Sequence, residues 1–196
     1  RGELVDGDQI LAACAIDAKT RGILPGDAVV STVMANLGFR RAMAGAGIRI
    51  EETAVGDRYV LERMIERGII MGGEQSGHLI FLEKHPTGDG ILTALRLLGL
   101  MVSSGKPLSA LAALAPRAPQ VLLNVGDVAK ERLDDANAVW DEVLRVENEL
   151  GSDGRVLVRP SGTEQVVRVM VEATTENAAE SAAKRIAKAV RESLGR

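Results

Sequence analysis

The sequence predicts an α/β chain, in which a helix-covered sheet domain, parallel or mixed, precedes a small α+β domain. Three observations carry this. Over the first 115 residues, short apolar strands alternate with amphipathic helical stretches, the pattern of a sheet with helices packed on it. At Ala115-Pro116-Arg117-Ala118-Pro119, two prolines in four residues follow an Ala/Leu-rich helical stretch, which disfavours helix and fits a linker. Beyond that seam, two adjacent strands flanked by helices replace the alternation. Charge shifts at the same place: residues 1–119 carry 13 basic and 13 acidic side chains, residues 120–196 carry 11 and 14. The expected division is a domain over 1–115, a linker over 116–119 and a domain over 120–196.

Each element has a local reason. Asp6 or Asp8 can cap a helix running to about Thr20, and Leu24-Pro25-Gly26-Asp27 turns the chain. Ala28–Val33 reads as a strand, Asn36–Ala44 as a helix, and Ile48–Thr53 as a strand in which Ile48 and Ile50 alternate with Arg49 and Glu51. Asp57 is expected to cap a helix with Val60, Leu61, Met64 and Ile65 at helical spacing, ended by Gly68. Ile69–Met71 and Leu79–Leu82 read as strands around a glycine-rich loop, and Asp89–Ser103 as a long apolar helix. In the second part, Gln120–Val125, Arg155–Arg159 and Val166–Thr174 read as strands. Two helices complete it: Asn137–Leu150, with Val139, Val143, Val146 and Leu150 in one stripe, and about Glu176–Leu194, with Ala179, Ala182, Ala183, Ile186, Val190 and Leu194 aligned.

Composition excludes several functions. The chain is 46% apolar and 26% charged, which suits a packed core. A net charge of −3 without a basic block argues against nucleic acid, because counterion release needs clustered cations. Phe39, Tyr59, Phe81 and Trp140 are the only aromatics, too few for base stacking or for a lectin's sugar platform. The longest stretch free of charge, Ala28 to Phe39, is 12 residues, too short for a membrane span. Cys14 is the lone cysteine, so no intramolecular disulfide forms. A soluble, cytoplasmic protein without membrane or nucleic-acid partners is expected. The start at Arg1, without methionine, fits a piece of something longer.

Three segments could carry chemistry. Gly72-Gly73-Glu74-Gln75-Ser76-Gly77-His78 sets a carboxylate, an amide, a hydroxyl and an imidazole among glycines that let the backbone approach a ligand. Such groups match sugar hydroxyls, and His78 could move a proton near neutral pH. A tight turn whose polar groups bond its own backbone is the equal alternative. Arg159-Pro160-Ser161-Gly162-Thr163-Glu164, with Arg168 on the next strand, combines guanidiniums, hydroxyls and backbone N–H groups in an oxyanion cradle. Against it stands pairing of Arg159 with Glu164 or Glu172 as a surface ion pair. At Val55-Gly56-Asp57-Arg58-Tyr59, capping by Asp57 is the better reading, although a helix N-terminus beside Arg58 can attract an anion. Thr87-Gly88-Asp89-Gly90 reads only as a helix start. His78 and His85, the only histidines, have no matching cluster for a metal, and Asp6-Gly7-Asp8 lacks a third carboxylate.

Gly72–His78 resembles the sugar-binding loop of the α-D-phosphohexomutase superfamily, and Arg159–Glu164 resembles its phosphate-binding loop, in the family's order. Val55–Val60 and the Gln75 form of the first loop are most similar to the branch acting on glucosamine phosphates. The resemblance spans essentially the whole chain, as the third and fourth of four domains. It implies an isomerase interconverting glucosamine 6-phosphate and glucosamine 1-phosphate, for amino-sugar nucleotide and cell-wall synthesis. A phosphoserine and a bisphosphorylated sugar intermediate are implied, with the phosphosugar as substrate. The phosphoserine loop and the Mg²⁺ loop would lie in the missing N-terminal domains, so this chain is expected to bind no metal and to be inactive alone. By resemblance, Gly56, Asp57, Arg58, Glu74, Ser76 and His78 meet the sugar, with His78 a candidate for proton transfer. Arg159, Ser161, Gly162, Thr163 and Arg168 would hold the phosphate. Gln165 stands where the family commonly has proline, which makes the loop less preorganised. A mannose- or glucose-phosphate mutase of the same superfamily and a free-standing phosphosugar-binding module are the alternatives.

Overall fold

The computed structural model describes residues 2–195 and divides the chain into two compact units, Arg1–Arg117 and Ala118–Arg196. In the first, Asp6 Oδ1 accepts from the Gln9 N–H at 3.1 Å while the Gln9 side chain accepts from the Asp6 N–H at 3.2 Å. This reciprocal capping box opens helix α1 (Gly7–Thr20). A 3₁₀ turn at Pro25–Asp27, with Gly26 left-handed, leads into strand β1 (Ala28–Thr32). Asn36 caps helix α2 (Leu37–Gly45), strand β2 (Arg49–Thr53) follows, then helix α3 (Asp57–Arg67), strands β3 (Met71–Gly73) and β4 (Leu79–Phe81), helix α4 (Gly90–Ser104) capped by Asp89, and the short helix α5 (Leu108–Ala112).

The sheet order is β2-β1-β3-β4, with β2 and β3 parallel to β1 and β4 antiparallel at the edge. All five residues of β1 are buried, as a central strand covered on both faces requires. Its side chains alternate between two cores. Val29 joins Leu11, Phe39 and Met43 on one face, while Ala28 and Val30 join Val60, Met64, Ile69 and Ile80 on the other. Helices therefore cover both faces, and the sheet is mixed because β3 and β4 form a hairpin.

Two local expectations shift. The strand expected at Ile69–Met71 runs instead over Met71–Gly73, so the first two glycines of the loop belong to the sheet. A Cβ on Gly72 would stand 2.8 Å from Met64 Sδ and 2.9 Å from Val60 Cγ1, so the bare glycine is what lets α3 press onto the sheet. Asp57 does not cap α3. The N-cap is Gly56, at φ 135°, and Asp57 is the first helical residue, its carboxylate accepting the Arg58 N–H.

The second unit opens with strand β5 (Gln120–Gly126) and an unanticipated 3₁₀ turn at Lys130–Asp135. Helix α6 (Asn137–Leu150), strands β6 (Arg155–Pro160) and β7 (Val166–Glu172), and helix α7 (Glu176–Leu194) follow. The order is β5-β7-β6, all antiparallel. Val156, Val158, Val167, Val169 and Val171 pack in one core with Val139, Val143 and Val146 of α6 and Ala183, Ile186 and Val190 of α7. Among the described residues, no helix is long and apolar enough to cross a membrane.

Cys14 is buried in α1, and burial pushes its thiol from 9.0 up to about 11, with Arg96 opposing the rise. A raised folded-state value means that Cys14 contributes stability in full below about pH 9, lost as the pH climbs towards 11. The folded chain is expected to resist iodoacetamide at pH 8 while the urea-unfolded chain alkylates readily, as mass spectrometry would read. Rapid alkylation of the folded chain would contradict this burial.

Candidate functional site

Within the first unit, β3 and β4 turn back on each other through Glu74–His78. Glu74 N–H donates to His78 O at 2.9 Å and Gly77 N–H to Glu74 O at 3.0 Å, so the turn satisfies part of its own backbone. The side chains are not consumed by it. Ser76 and His78 are exposed, and Glu74 is half-buried. Glu74 Oε1 accepts the Gly56 N–H at 3.0 Å, tying this loop to the start of α3. The two segments singled out in the first domain are thus one constellation, with Asp57 and Arg58 exposed on its rim. Arg58 pairs with Glu62 one turn along α3, and this carboxylate lifts the guanidinium above its ordinary value.

The loop is also held from below. Gly7, at the start of α1, donates its N–H to Gln75 O at 3.1 Å. A Cβ on Gly7 would fall 2.1 Å from Glu74 O and 2.8 Å from Gly77 N, so no other residue fits without moving the loop. Beside His78, an open cavity of about 350 Å³ is lined by Ser76, Gly77, Gly88, Asp89 and Gly90. Gly7 and Gly88–Gly90 are the members that the sequence reading missed. The close approach of Gly7 is a long-range contact, and the Asp89 cap concealed its neighbourhood to His78. A second cavity, of about 310 Å³ between α1 and α4, contains none of the motif residues.

In the second unit, Arg159 on β6 and Arg168 on β7 are direct cross-strand partners. Like charges in that position repel. Neither Glu164 nor Glu172 relieves Arg159: Glu164 pairs with Arg168 at 2.6 Å, and Glu172 pairs with Arg155 at 3.5 Å. Arg159 has no carboxylate partner among the described residues, which removes the surface ion-pair alternative. Burial first, and the Arg168 charge second, push its guanidinium below the ordinary value. Arg168 Nε is buried without a partner.

The chain between these arginines is the expected strand–loop–strand connection. Ser161 is 3% exposed, its N–H donates to Val166 O at 2.9 Å, and its Oγ accepts the Glu164 N–H at 3.3 Å. Gly162 and Thr163 are exposed, and a Cβ on Gly162 would meet no atom within 4 Å. Lys130, absent from the sequence reading, donates from Nζ to Ser161 O at 2.7 Å and to Glu164 O at 2.8 Å. Thirty-one residues separate it from Ser161, so no local pattern marks it. No group of three or more His, Cys, Asp or Glu stands together as a metal site among the described residues.

The first unit thus presents a glycine-shaped loop carrying a carboxylate, a hydroxyl and an imidazole, and the second a cross-strand arginine pair in which Arg168 has a carboxylate partner and Arg159 has none among the described residues. Comparison with known proteins gives the family. Residues 6–118 match the family model "Phosphoglucomutase/phosphomannomutase, alpha/beta/alpha domain III", and residues 122–189 match the C-terminal domain of the same family. The chain belongs to the phosphoglucomutase/phosphomannomutase family, the phosphohexomutases, whose members are isomerases. Within it, the chain is similar to phosphoglucosamine mutases: 55% identical over 193 residues to that of Frankia alni and 51% over 195 to that of Geobacillus kaustophilus. It covers 98% and 100% of itself in these matches but only 42% and 43% of those proteins, in their C-terminal part. In fold it is similar to N-acetylphosphoglucosamine mutase of Aspergillus fumigatus crystallised with GlcNAc-6P and magnesium, with a TM-score of 0.81 at 22% identity over 97% of this chain and 44% of that one.

The two loop-associated glycines should behave oppositely. Gly7→Ala forces the Glu74 carbonyl aside and is expected to destabilise the chain by about 1–3 kcal/mol in denaturant unfolding. Gly162→Ala, whose methyl meets open space, should change stability by less than about 0.5 kcal/mol in the same measurement. A stable Gly7→Ala would show that the loop can retreat.

Proposed function

We propose that this chain is the substrate-recognition part of an enzyme interconverting glucosamine 6-phosphate and glucosamine 1-phosphate. The observation that carries the reading is Arg159: a partly buried guanidinium, directly opposite Arg168, with no carboxylate partner among the described residues. A phosphate near neutral pH brings close to two negative charges and oxygens that guanidiniums can meet in pairs. It would relieve the repulsion, and the Ser161 hydroxyl, whose oxygen already accepts from Glu164, keeps its proton to donate. Gly162 and Thr163 would add backbone N–H groups and a hydroxyl. Glu164 would yield part of its hold on Arg168 as the phosphate arrives.

Sugar recognition falls to the first unit. Glu74 uses Oε1 on Gly56, which aims the carboxylate and leaves Oε2 to accept a sugar hydroxyl. Ser76 can donate or accept, and Gly56, Asp57 and Arg58 line the same loop constellation. His78, exposed at the edge of the 350 Å³ cavity, is the candidate for proton movement at a sugar oxygen. The family reaction transfers a phosphoryl group from a phosphoserine and returns the other from a bisphosphorylated intermediate. Holding whichever phosphate is not reacting is the task these arginines suit, for either end of the sugar. No three His, Cys, Asp or Glu stand together among the described residues, and by the family resemblance Mg²⁺ would be held by domains outside this chain. Glucosamine is favoured over mannose or glucose by the similarity to phosphoglucosamine mutases.

Calorimetric titration tests the pocket. Arg159→Lys, which keeps the charge and loses the planar fork, should weaken both glucosamine 6-phosphate and glucosamine 1-phosphate by roughly tenfold or more, with Tm nearly unchanged. Unphosphorylated glucosamine should not respond. A drop in stability with phosphosugar affinity intact would make Arg159 a structural residue. The 196-residue chain alone, given glucosamine 6-phosphate, Mg²⁺ and a bisphosphate activator, is expected to form no 1-phosphate. Turnover by clean protein would require a phosphoryl carrier within it.

A further inference from the structure

Lys130 stands at the start of a 3₁₀ turn whose backbone is tied down on both sides. Ala129 N–H donates to Leu194 O at 2.8 Å, Val128 bridges to Gly195, and Leu133 is 1% exposed in the core. From this anchored position the ammonium reaches across to the Arg159–Arg168 loop and takes two carbonyls, of Ser161 at 2.7 Å and of Glu164 at 2.8 Å. It forms no salt bridge with a carboxylate among the described residues; its hydrogen-bond partners are loop backbone.

A trans peptide unit is planar, with its C=O and N–H on opposite sides. Fixing the Ser161 carbonyl therefore turns the Gly162 N–H away from Lys130, and fixing the Glu164 carbonyl does the same to the Gln165 N–H. The N–H groups of Gly162, Thr163 and Gln165 have no acceptor among the described residues. We infer that Lys130 is the positioning residue of the phosphate loop: it holds the two carbonyls so that the amides on the far side of the same peptides are presented to the anion. It also polarises those peptide dipoles with their positive ends outward. This matters the more because Gln165 occupies the position where a proline would stiffen the chain. The inference rests on the proposed phosphate-binding reading and adds to it a residue that never touches the ligand.

Lys130→Met keeps the aliphatic stem and removes the charge, and Lys130→Arg restores a donor. Amide hydrogen exchange on the ligand-free 196-residue chain is the first readout. In Lys130→Met, the Ser161 and Glu164 amides should exchange at least tenfold faster, while Val169 and Val171 of β7 keep their protection and Tm barely moves. Titration with inorganic phosphate and glucosamine 6-phosphate should then show about tenfold weaker binding, with Lys130→Arg partly recovering both readouts. Unchanged exchange and unchanged affinity would overturn the inference, as would a uniform loss of protection across β7, which marks a merely structural lysine. Exchange needs no ligand, so it judges Lys130 even if the parent chain binds no phosphosugar, a result that would instead overturn the functional reading.

Discussion

The antiparallel register of β6 against β7 is the constraint on which the second unit depends. Side chains on a strand alternate faces, so burying Val156, Val158, Val167, Val169 and Val171 against α6 and α7 commits Arg159 and Arg168 to the other face. The same register sets them opposite each other at the mouth of the connecting loop. A one-residue slip of either strand would turn its arginine towards the valines, at a cost of several kcal/mol. Against that, the repulsion between two partly solvated cations is a matter of tenths of a kcal/mol. The hydrophobic core therefore holds the like-charge pair in place.

The first unit uses close packing instead of charge to shape its loop. Gly72 admits α3, Gly73 lies against Leu79 and the His78 carbonyl, and Gly7 admits the Glu74 carbonyl. Each contact is closer than a Cβ permits, so the loop is shaped by what its glycines lack. Glu74 then links the turn to α3 through the Gly56 N–H, a hydrogen bond that leaves half of the carboxylate unused. The backbone of Glu74–His78 closes the turn, while the Ser76 and His78 side chains stay exposed.

Local chemistry made most of the fold legible. The Asp6–Gln9 box, the Asn36 and Asp89 caps and the valine stripe of α6 all act over three or four residues, and α6 falls at Asn137–Leu150 as its periodicity implies. Helix α3 shows where such reasoning misleads. Asp57 has the right chemistry for a cap, but Gly56 at φ 135° occupies that position because Glu74, eighteen residues later, takes its N–H. The strand over Met71–Gly73 was hidden for a similar reason, since glycine is a poor strand former until a helix needs the room.

By itself the sequence determined most of the elements and set both motif loops between their strands, because periodicity, capping and short motifs are written within a few residues of each other. Only the tertiary structure decided which carboxylate each arginine keeps, that Gly7 underlies the sugar-type loop, and that Lys130 grips the phosphate-type loop. Those outcomes join residues far apart in the chain. They depend on strand register and on the space left between packed elements, quantities that no window of the sequence contains.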